Sequence, residues 1–205
     1  MSSPVQRVHL LGGPGSGKTT AGRPIADALE LPFVDLDDVF RQAGWGVPEE
    51  SDFRRDVQAL RDQPRLVCAG NYGSTWDVRF ADNDTVIFFS LPATVCVRRI
   101  VARSFRIRFR GRIDLLPINC QAGPDHEPFR DYLGFLRYTW RFPSRRAEHM
   151  QHLARVGIKE MILIDSTAAA SQLVSDVQAN GEDALVSRLR PLSSIVGAAV
   201  PARTL

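Results

Sequence analysis

Gly12-Gly13-Pro14-Gly15-Ser16-Gly17-Lys18-Thr19 lies between a Val/Leu-rich run, residues 5–11, and a run with helical spacing, residues 18–29. The first run reads as a short buried strand. The glycine-rich stretch can neither continue that strand nor form a helix, so it is a loop. Together they make a complete Walker A pattern, G-x4-G-K-T. Its glycines let backbone N–H groups turn inward around a phosphate, and the helix opening at Lys18 adds its positive end. Lys18 supplies a compact ammonium for the β- and γ-phosphates, and the Thr19 hydroxyl is suited to Mg²⁺. Gly12, Gly13, Gly15, Ser16, Gly17, Lys18, Thr19 and Thr20 are therefore the candidate nucleotide-binding residues. Lys18 is one of only two lysines in the chain, the other being Lys159. Arginine serves almost everywhere else that a positive charge is needed.

Outward from the loop, short apolar runs recur at residues 32–34, 65–69, 85–91 and 161–164. Helical spacing recurs at 51–61, from 92 past 103, at 129–140 and at 171–177. Pro24 falls inside the first helix, where some bending is expected. Gly44 to Pro48 reads as a turn, and 111–128, with two glycines and three prolines, reads as loop. Five short strands alternating with helices predict an α/β fold, a parallel sheet covered on both faces. Beyond Asn180 the text is rich in Ala, Ser and Pro, and residues 181–205 are expected to be a flexible tail. The domain is placed at 1–180.

The length of 205 residues suits one domain, or one domain with an inserted lid. Hydrophobic residues at 44% and charged residues at 24% exclude wholesale disorder. No apolar run approaches a membrane span. Residues 1–7 lack the build of a signal peptide, and three scattered cysteines make neither a disulfide framework nor a zinc site. A cytoplasmic setting is expected. The net charge of +3 is unevenly spread: residues 1–97 hold 9 Lys/Arg against 13 acids, and residues 98–155 hold 13 Arg against 5. The basic middle should meet something anionic.

Asp35-x-Asp37 closes the second strand. Ligands of such sheets bind outside the carboxyl ends of the strands, the edge that also carries the phosphate loop. Residues two apart on an extended segment point the same way, which would aim both carboxylates at the site. One is expected to serve Mg²⁺ and the other to orient or deprotonate an acceptor hydroxyl. The competing reading is that they cap the following helix. The usual second acid at a neighbouring strand end is missing: the candidate positions hold Ala69 and Ser90.

Residues 8–101 resemble adenylate-kinase-like P-loop proteins labelled DNA topology modulation proteins. The likeness rests on the phosphate loop, Leu36-Asp37 with Phe40 and Gly44-Trp45, Gly70-Asn71-Tyr72, Asp77 with Arg79, and the Leu91-Pro92 junction. Phe135 to Phe142 is similar to that family's aromatic, arginine-rich late helix. Leu31 to Asp37 followed by Phe53-Arg54 is also similar to shikimate and gluconate kinases. The resemblance implies a P-loop three-layer αβα fold, a five-stranded parallel sheet of order 2-3-1-4-5 and a helical lid at about 98–150. It implies transfer of a phosphoryl group from ATP, with Mg²⁺, to a small-molecule or nucleotide acceptor. Ser166, after the last strand, is placed where such kinases cup the adenine. Shikimate kinases carry a glycine triplet where this chain has Gly70-Asn71-Tyr72, which argues against shikimate as the acceptor.

The run Arg98, Arg99, Arg103, Arg106, Arg108, Arg110 and Arg112 fits either a helical face or a period-two alternation. Arg103 and Arg106 are the expected lid arginines for the transferring group. Arg137 and Arg141 are candidates to reach the same cleft. Asn71 and Tyr72 suit hydrogen bonding to an acceptor, and Arg54 and Arg79 suit an anionic group on it. The leading function is thus a P-loop kinase with Lys18, Asp35, Asp37, Arg103 and Arg106 as catalytic residues. Thr19 and Asp35 are the expected metal residues. A nucleic-acid-associated ATP-binding protein, using the basic middle with Phe105, Phe109, Tyr138 and Trp140, is the second reading. A catalytically weakened nucleotide-binding regulator is the third, supported by Ala69 and Ser90. No membrane partner is expected, and His9, His126, His149 and His152 show no metal-ligand spacing.

Overall fold

The computed structural model describes residues 5–42, 46–121 and 129–197. Gly44, Trp45 and His126 lie outside the described residues.

Five parallel strands, β1 (Arg7–Gly12), β2 (Phe33–Asp35), β3 (Leu66–Ala69), β4 (Thr85–Phe89) and β5 (Glu160–Ile164), form one sheet. A sixth, β6 (Arg190–Pro191), pairs antiparallel to β5, giving the order β2-β3-β1-β4-β5-β6. The core order matches expectation, but the sheet has six strands rather than five. The register sets the site. Asp35 pairs with Ala69, Ala69 with Leu10, Gly12 with Phe89, and Phe89 with Ile164. The carboxyl ends of all five parallel strands therefore end level, and the residues after them share one edge.

Alternation along the strands separates two cores. Val8, Leu10, Ile87, Phe89 and Ile162 face α1 (Lys18–Ala28) and α8 (Thr167–Asn180). Leu11, Val86, Phe88 and Met161 face Trp76, Phe142 and α7 (Arg146–Arg155). A third cluster, around Leu36, Phe53 and Val57, joins α2 (Leu36–Phe40) and α3 (Glu50–Arg61) to β3. Burial on both faces makes the three layers expected of a parallel sheet.

Two expectations need correction, and one open alternative is decided. Residues 181–197 are not a tail: α9 (Asp183–Val186), β6 and α10 (Leu192–Gly197) continue the fold. Leu185 is fully buried, and Leu192 and Ile195 are buried against the second core. These anchors are spread thinly through Ala- and Ser-rich text, so no periodic run announces them. Of the two patterns open for the arginine run, the helical one holds: residues 106–110 lie within the 18-residue α5 (Ala93–Arg110). α8 begins at Thr167, four residues before the helical run read from sequence, because the Ser166 side chain caps it by accepting from the Ala169 N–H.

Below the loop at residues 70–72 lies a buried polar quartet. Arg7 Nε bonds Asp84 Oδ1 at 2.7 Å, and His9 Nε2 lies 2.8 Å from Asp84 Oδ2. Arg79 Nε donates to His9 Nδ1 at 3.1 Å, and its two other nitrogens donate to the Gly70 and Cys68 carbonyls at 2.7 and 3.1 Å. Accepting at Nδ1 makes His9 the neutral Nε2–H tautomer. Burial, opposed by Asp84, pushes its pKa down to about 4. Burial alone would raise Asp84, but His9 and Arg7 carry its carboxyl below the ordinary range.

Candidate active site

The phosphate loop follows β1 directly. Gly12 has φ +132°, and a Cβ there would lie 2.4 Å from the Phe89 carbonyl oxygen, so only glycine lets β1 turn beside β4. Gly17 enters α1 in the left-handed conformation. Lys18 lies back along the loop and donates to the Gly13 carbonyl at 2.8 Å, while Ser16 Oγ donates to the same oxygen at 2.7 Å. Burial lowers the Lys18 pKa, opposed by the charges of Asp37 and Asp35 and assisted by Arg103. Lys18 thus sits within electrostatic reach of both aspartates and of one α5 arginine. Thr20 is exposed on the first turn of α1.

Thr19 Oγ1 donates to Asp35 Oδ2 at 2.9 Å. This pair joins α1 to the end of β2, across the end of β3. Ala69, at the usual acidic position, is buried there, and the carboxylate comes from the next strand out. Burial and the neighbouring Asp37 raise the Asp35 pKa. One hydroxyl and one carboxylate are a sparse donor set. They fit a Mg²⁺ ion that keeps waters and brings phosphate ligands with it.

Asp37 does not share the extended geometry of Asp35. β2 stops at Asp35, whose Oδ1 accepts from the Asp37 N–H at 3.1 Å and caps α2. Asp35 therefore serves as cap and as Thr19 partner together, and Asp37 lies in the first helical turn. There Tyr72 donates its hydroxyl to Asp37 Oδ1 at 2.7 Å. Asn71 Oδ1 accepts from the Gly12 N–H at 3.3 Å, its carbonyl accepts from Trp76 Nε1 at 2.5 Å, and Tyr138 faces its side chain. Asn71 and Tyr72 thus tie the phosphate loop to Asp37. Asp38 turns away and accepts from the Ile118 N–H at 2.7 Å, anchoring the segment after α5 onto α2.

The arginines divide. Arg54, on α3, donates to Asp77 at 2.6 Å and to the Ser74 carbonyl, and holds the Asp77 carboxyl below its ordinary range. Arg79 is not beside it. It is 1% exposed, and its donors are committed to His9, Gly70 and Cys68, because the short helix α4 (Trp76–Arg79) turns it under the loop. Arg99 is a residue that the sequence reading left out of its site assignments: its guanidinium donates to the Ser16 carbonyl at 3.1 Å and to Thr167 Oγ1 at 2.9 Å. The available signal was its place one turn before Arg103. Arg103 is exposed, and its charge is felt at Lys18. Arg106 is not brought to the loop. At 1.5 Å per residue it lies roughly 10 Å past Arg99 along α5, and it bends back to the Ala102 carbonyl. It lines an outer groove with Val101, Phe105 and Trp140. Arg137 and Arg141, on α6 (Phe129–Arg141), are exposed, and the α6 residue facing Asn71 is Tyr138. The His149 and His152 rings make tilted contacts with Trp76, 5.9 and 4.8 Å centroid to centroid, beside the second core.

A phosphate loop, its lysine and a threonine–carboxylate pair at the carboxyl edge of this sheet define the P-loop α/β class. Comparison with known proteins narrows it. The model of the family described as shikimate kinase matches residues 14–55. The chain is 34% identical over 115 residues to "Shikimate kinase 2" of Syntrophotalea carbinolica, covering 47% of this chain and 64% of that protein. It is 52% identical over 62 residues to the shikimate kinase of Paracidovorax citrulli, covering 30% and 34%. The aligned part thus spans 64% or less of the length of these two relatives. The solved shikimate kinase of Acinetobacter baumannii in complex with shikimate matches 91% of this chain and 96% of its own. The TM-score is 0.50 and the identity 19%. The fold is therefore a shikimate-kinase-like P-loop α/β fold. No helix among the described residues is long and apolar enough to cross a membrane.

Proposed function

We propose that the protein is a phosphotransferase that moves the γ-phosphoryl group of ATP, with Mg²⁺, to a hydroxyl of a small molecule. The observation that carries this reading is the level strand edge after which the phosphate loop with Lys18, the Thr19–Asp35 pair and Asp37 all follow. The sequence similarity to shikimate kinases, concentrated on residues 14–55, supports the same reaction class. Lys18 neutralises charge on the transferring group, and Arg99 and Arg103 approach the loop from α5. Thr19 and Asp35 would hold Mg²⁺, whose charge would offset that of the phosphates. Asp37 orients the acceptor hydroxyl and takes its proton. The acceptor side departs from a glycine-lined wall through Asn71 and Tyr72, which is the ground for a likeness to the adenylate-kinase-like proteins of the topology-modulation label.

The test is Mg²⁺-dependent ADP release against a panel of hydroxylated acceptors, nucleoside monophosphates and short DNA ends. One acceptor class should raise turnover well above basal hydrolysis, and Lys18→Ala should lower that turnover by about 100-fold or more. Tight nucleotide binding with no acceptor-dependent turnover would favour the regulator reading. The nucleic-acid reading draws on Phe105, Phe109 and Trp140, which stand exposed among the α5 arginines. Affinity for single strands that falls steeply with salt, with no acceptor-dependent turnover, would favour it.

A further inference from the structure

Tyr72 has φ +32°, a backbone conformation that favours glycine and is strained for a bulky side chain. Strain of this kind persists where the surroundings over-determine it, and here they do. The Tyr72 ring lies 4.9 Å from Phe40 and 5.0 Å from Phe53, centroid to centroid, and those two rings lie 4.9 Å apart. The hydroxyl closes the arrangement on Asp37 Oδ1 at 2.7 Å. The bound oxygen belongs to the carboxylate assigned to the acceptor hydroxyl, so the protein's own phenol occupies one of the two oxygens an acceptor would use. Burial and the Asp37 charge raise the Tyr72 pKa, so the phenol stays a donor.

We propose that Tyr72 is the specificity-determining residue of the acceptor site, a reading that rests on the phosphotransferase assignment. With Asp37 Oδ1 held, an acceptor presents its hydroxyl to Oδ2 and lies against the Tyr72–Phe40 wall. Arg54 nearby is engaged by Asp77 and the Ser74 carbonyl, and Asp35 and Asp37 put like charge at the approach. The class selected is an uncharged hydroxylated molecule with a flat apolar face. Compact hydroxylated carboxylates meet an occupied oxygen, an aromatic wall and like charge.

The experiment measures kcat/KM for nucleosides, as uncharged ring-bearing alcohols, and for shikimate, as a hydroxylated carboxylate. It uses the full chain and its Tyr72→Gly and Tyr72→Phe variants, with acceptor-induced Tm shifts measured beside a non-hydrolysable ATP analogue. The full chain should favour the nucleosides by tenfold or more. Tyr72→Gly, which suits the backbone, should shrink that ratio at least tenfold while KM for ATP changes less than twofold. Tyr72→Phe keeps the ring and frees Asp37, so it should retain most of the ratio and lower KM for both classes. A full chain that prefers shikimate, or a ratio unmoved by Tyr72→Gly, overturns the proposal while leaving the phosphotransferase reading intact. Absence of both turnover and an analogue-induced Tm shift overturns the phosphotransferase reading itself. If the analogue binds without turnover, the nucleoside Tm shift and its loss in Tyr72→Gly decide the proposal alone.

Discussion

Two groups of arginines in this chain behave in opposite ways. Arg7 and Arg79 are 8% and 1% exposed and spend their donors on Asp84, His9 and backbone carbonyls. The seven arginines from Arg98 to Arg112 crowd one segment, and six of them are exposed, Arg99 being half-buried. The dense group is conspicuous in sequence and little of it is held. The sparse group is inconspicuous and supports the loop that positions Asn71 and Tyr72. Charge density therefore marks an exposed face, whereas an isolated arginine beside apolar text marks a buried network, since a buried guanidinium must find a partner for each donor.

The largest expected effect breaks the sparse group. Arg79→Ala would leave His9 Nδ1 and the Gly70 and Cys68 carbonyls without their donor in a dry interior. The expected loss is about 3–5 kcal/mol of stability, read as a Tm lower by roughly 10 °C or more. Arg112→Ala removes an exposed pair with Asp114 and should leave Tm unchanged within error. Equal effects for the two would sink the distinction.

The next effect is on pH. His9 has its folded pKa near 4 against an ordinary 6.5. Between those values the unfolded chain binds a proton that the folded chain does not, so stability rises with pH across that window. It is lost as pH falls from about 6.5 toward 4, by about 3 kcal/mol at the acid end. Urea midpoints should follow that slope, and His9→Gln should flatten it. A slope unchanged in His9→Gln would show that other groups carry it.

The same contrast explains what was legible in the sequence. The phosphate loop was legible because its backbone demands particular residue types: Gly12 is glycine by geometry, and Lys18 and Thr19 follow by chemistry. The strand order followed from a resemblance, and the level strand ends follow from the parallel register. What failed depends on the side toward which an element turns. Strand alternation aligns Asp37 with Asp35, but the Asp35 cap starts a helix one residue later. Arg79 suits an anionic acceptor by its chemistry, but α4 points it under the loop rather than over it. Leu185, Leu192 and Ile195 anchor the last segment at spacings that form no periodic run.

Within the dense group, the comparison sharpens to Arg103 against Arg106. Both lie on α5 three residues apart, and sequence reading assigned both to the transferring phosphoryl group. Their surroundings differ: Arg103 lies one turn past the loop-bound Arg99, whereas Arg106 bonds the Ala102 carbonyl and lines the outer groove beside Phe105 and Trp140. Arg103→Ala should lower acceptor-dependent kcat about tenfold, near 1.4 kcal/mol of transition-state stabilisation. Arg106→Ala should change kcat less than about twofold, because no charge at the loop is lost. Neither should move Tm, since both side chains are exposed. Equal losses of kcat would mean that α5 rotates or bends on substrate binding to bring its outer arginines in. Arg106 would then belong to the site after all.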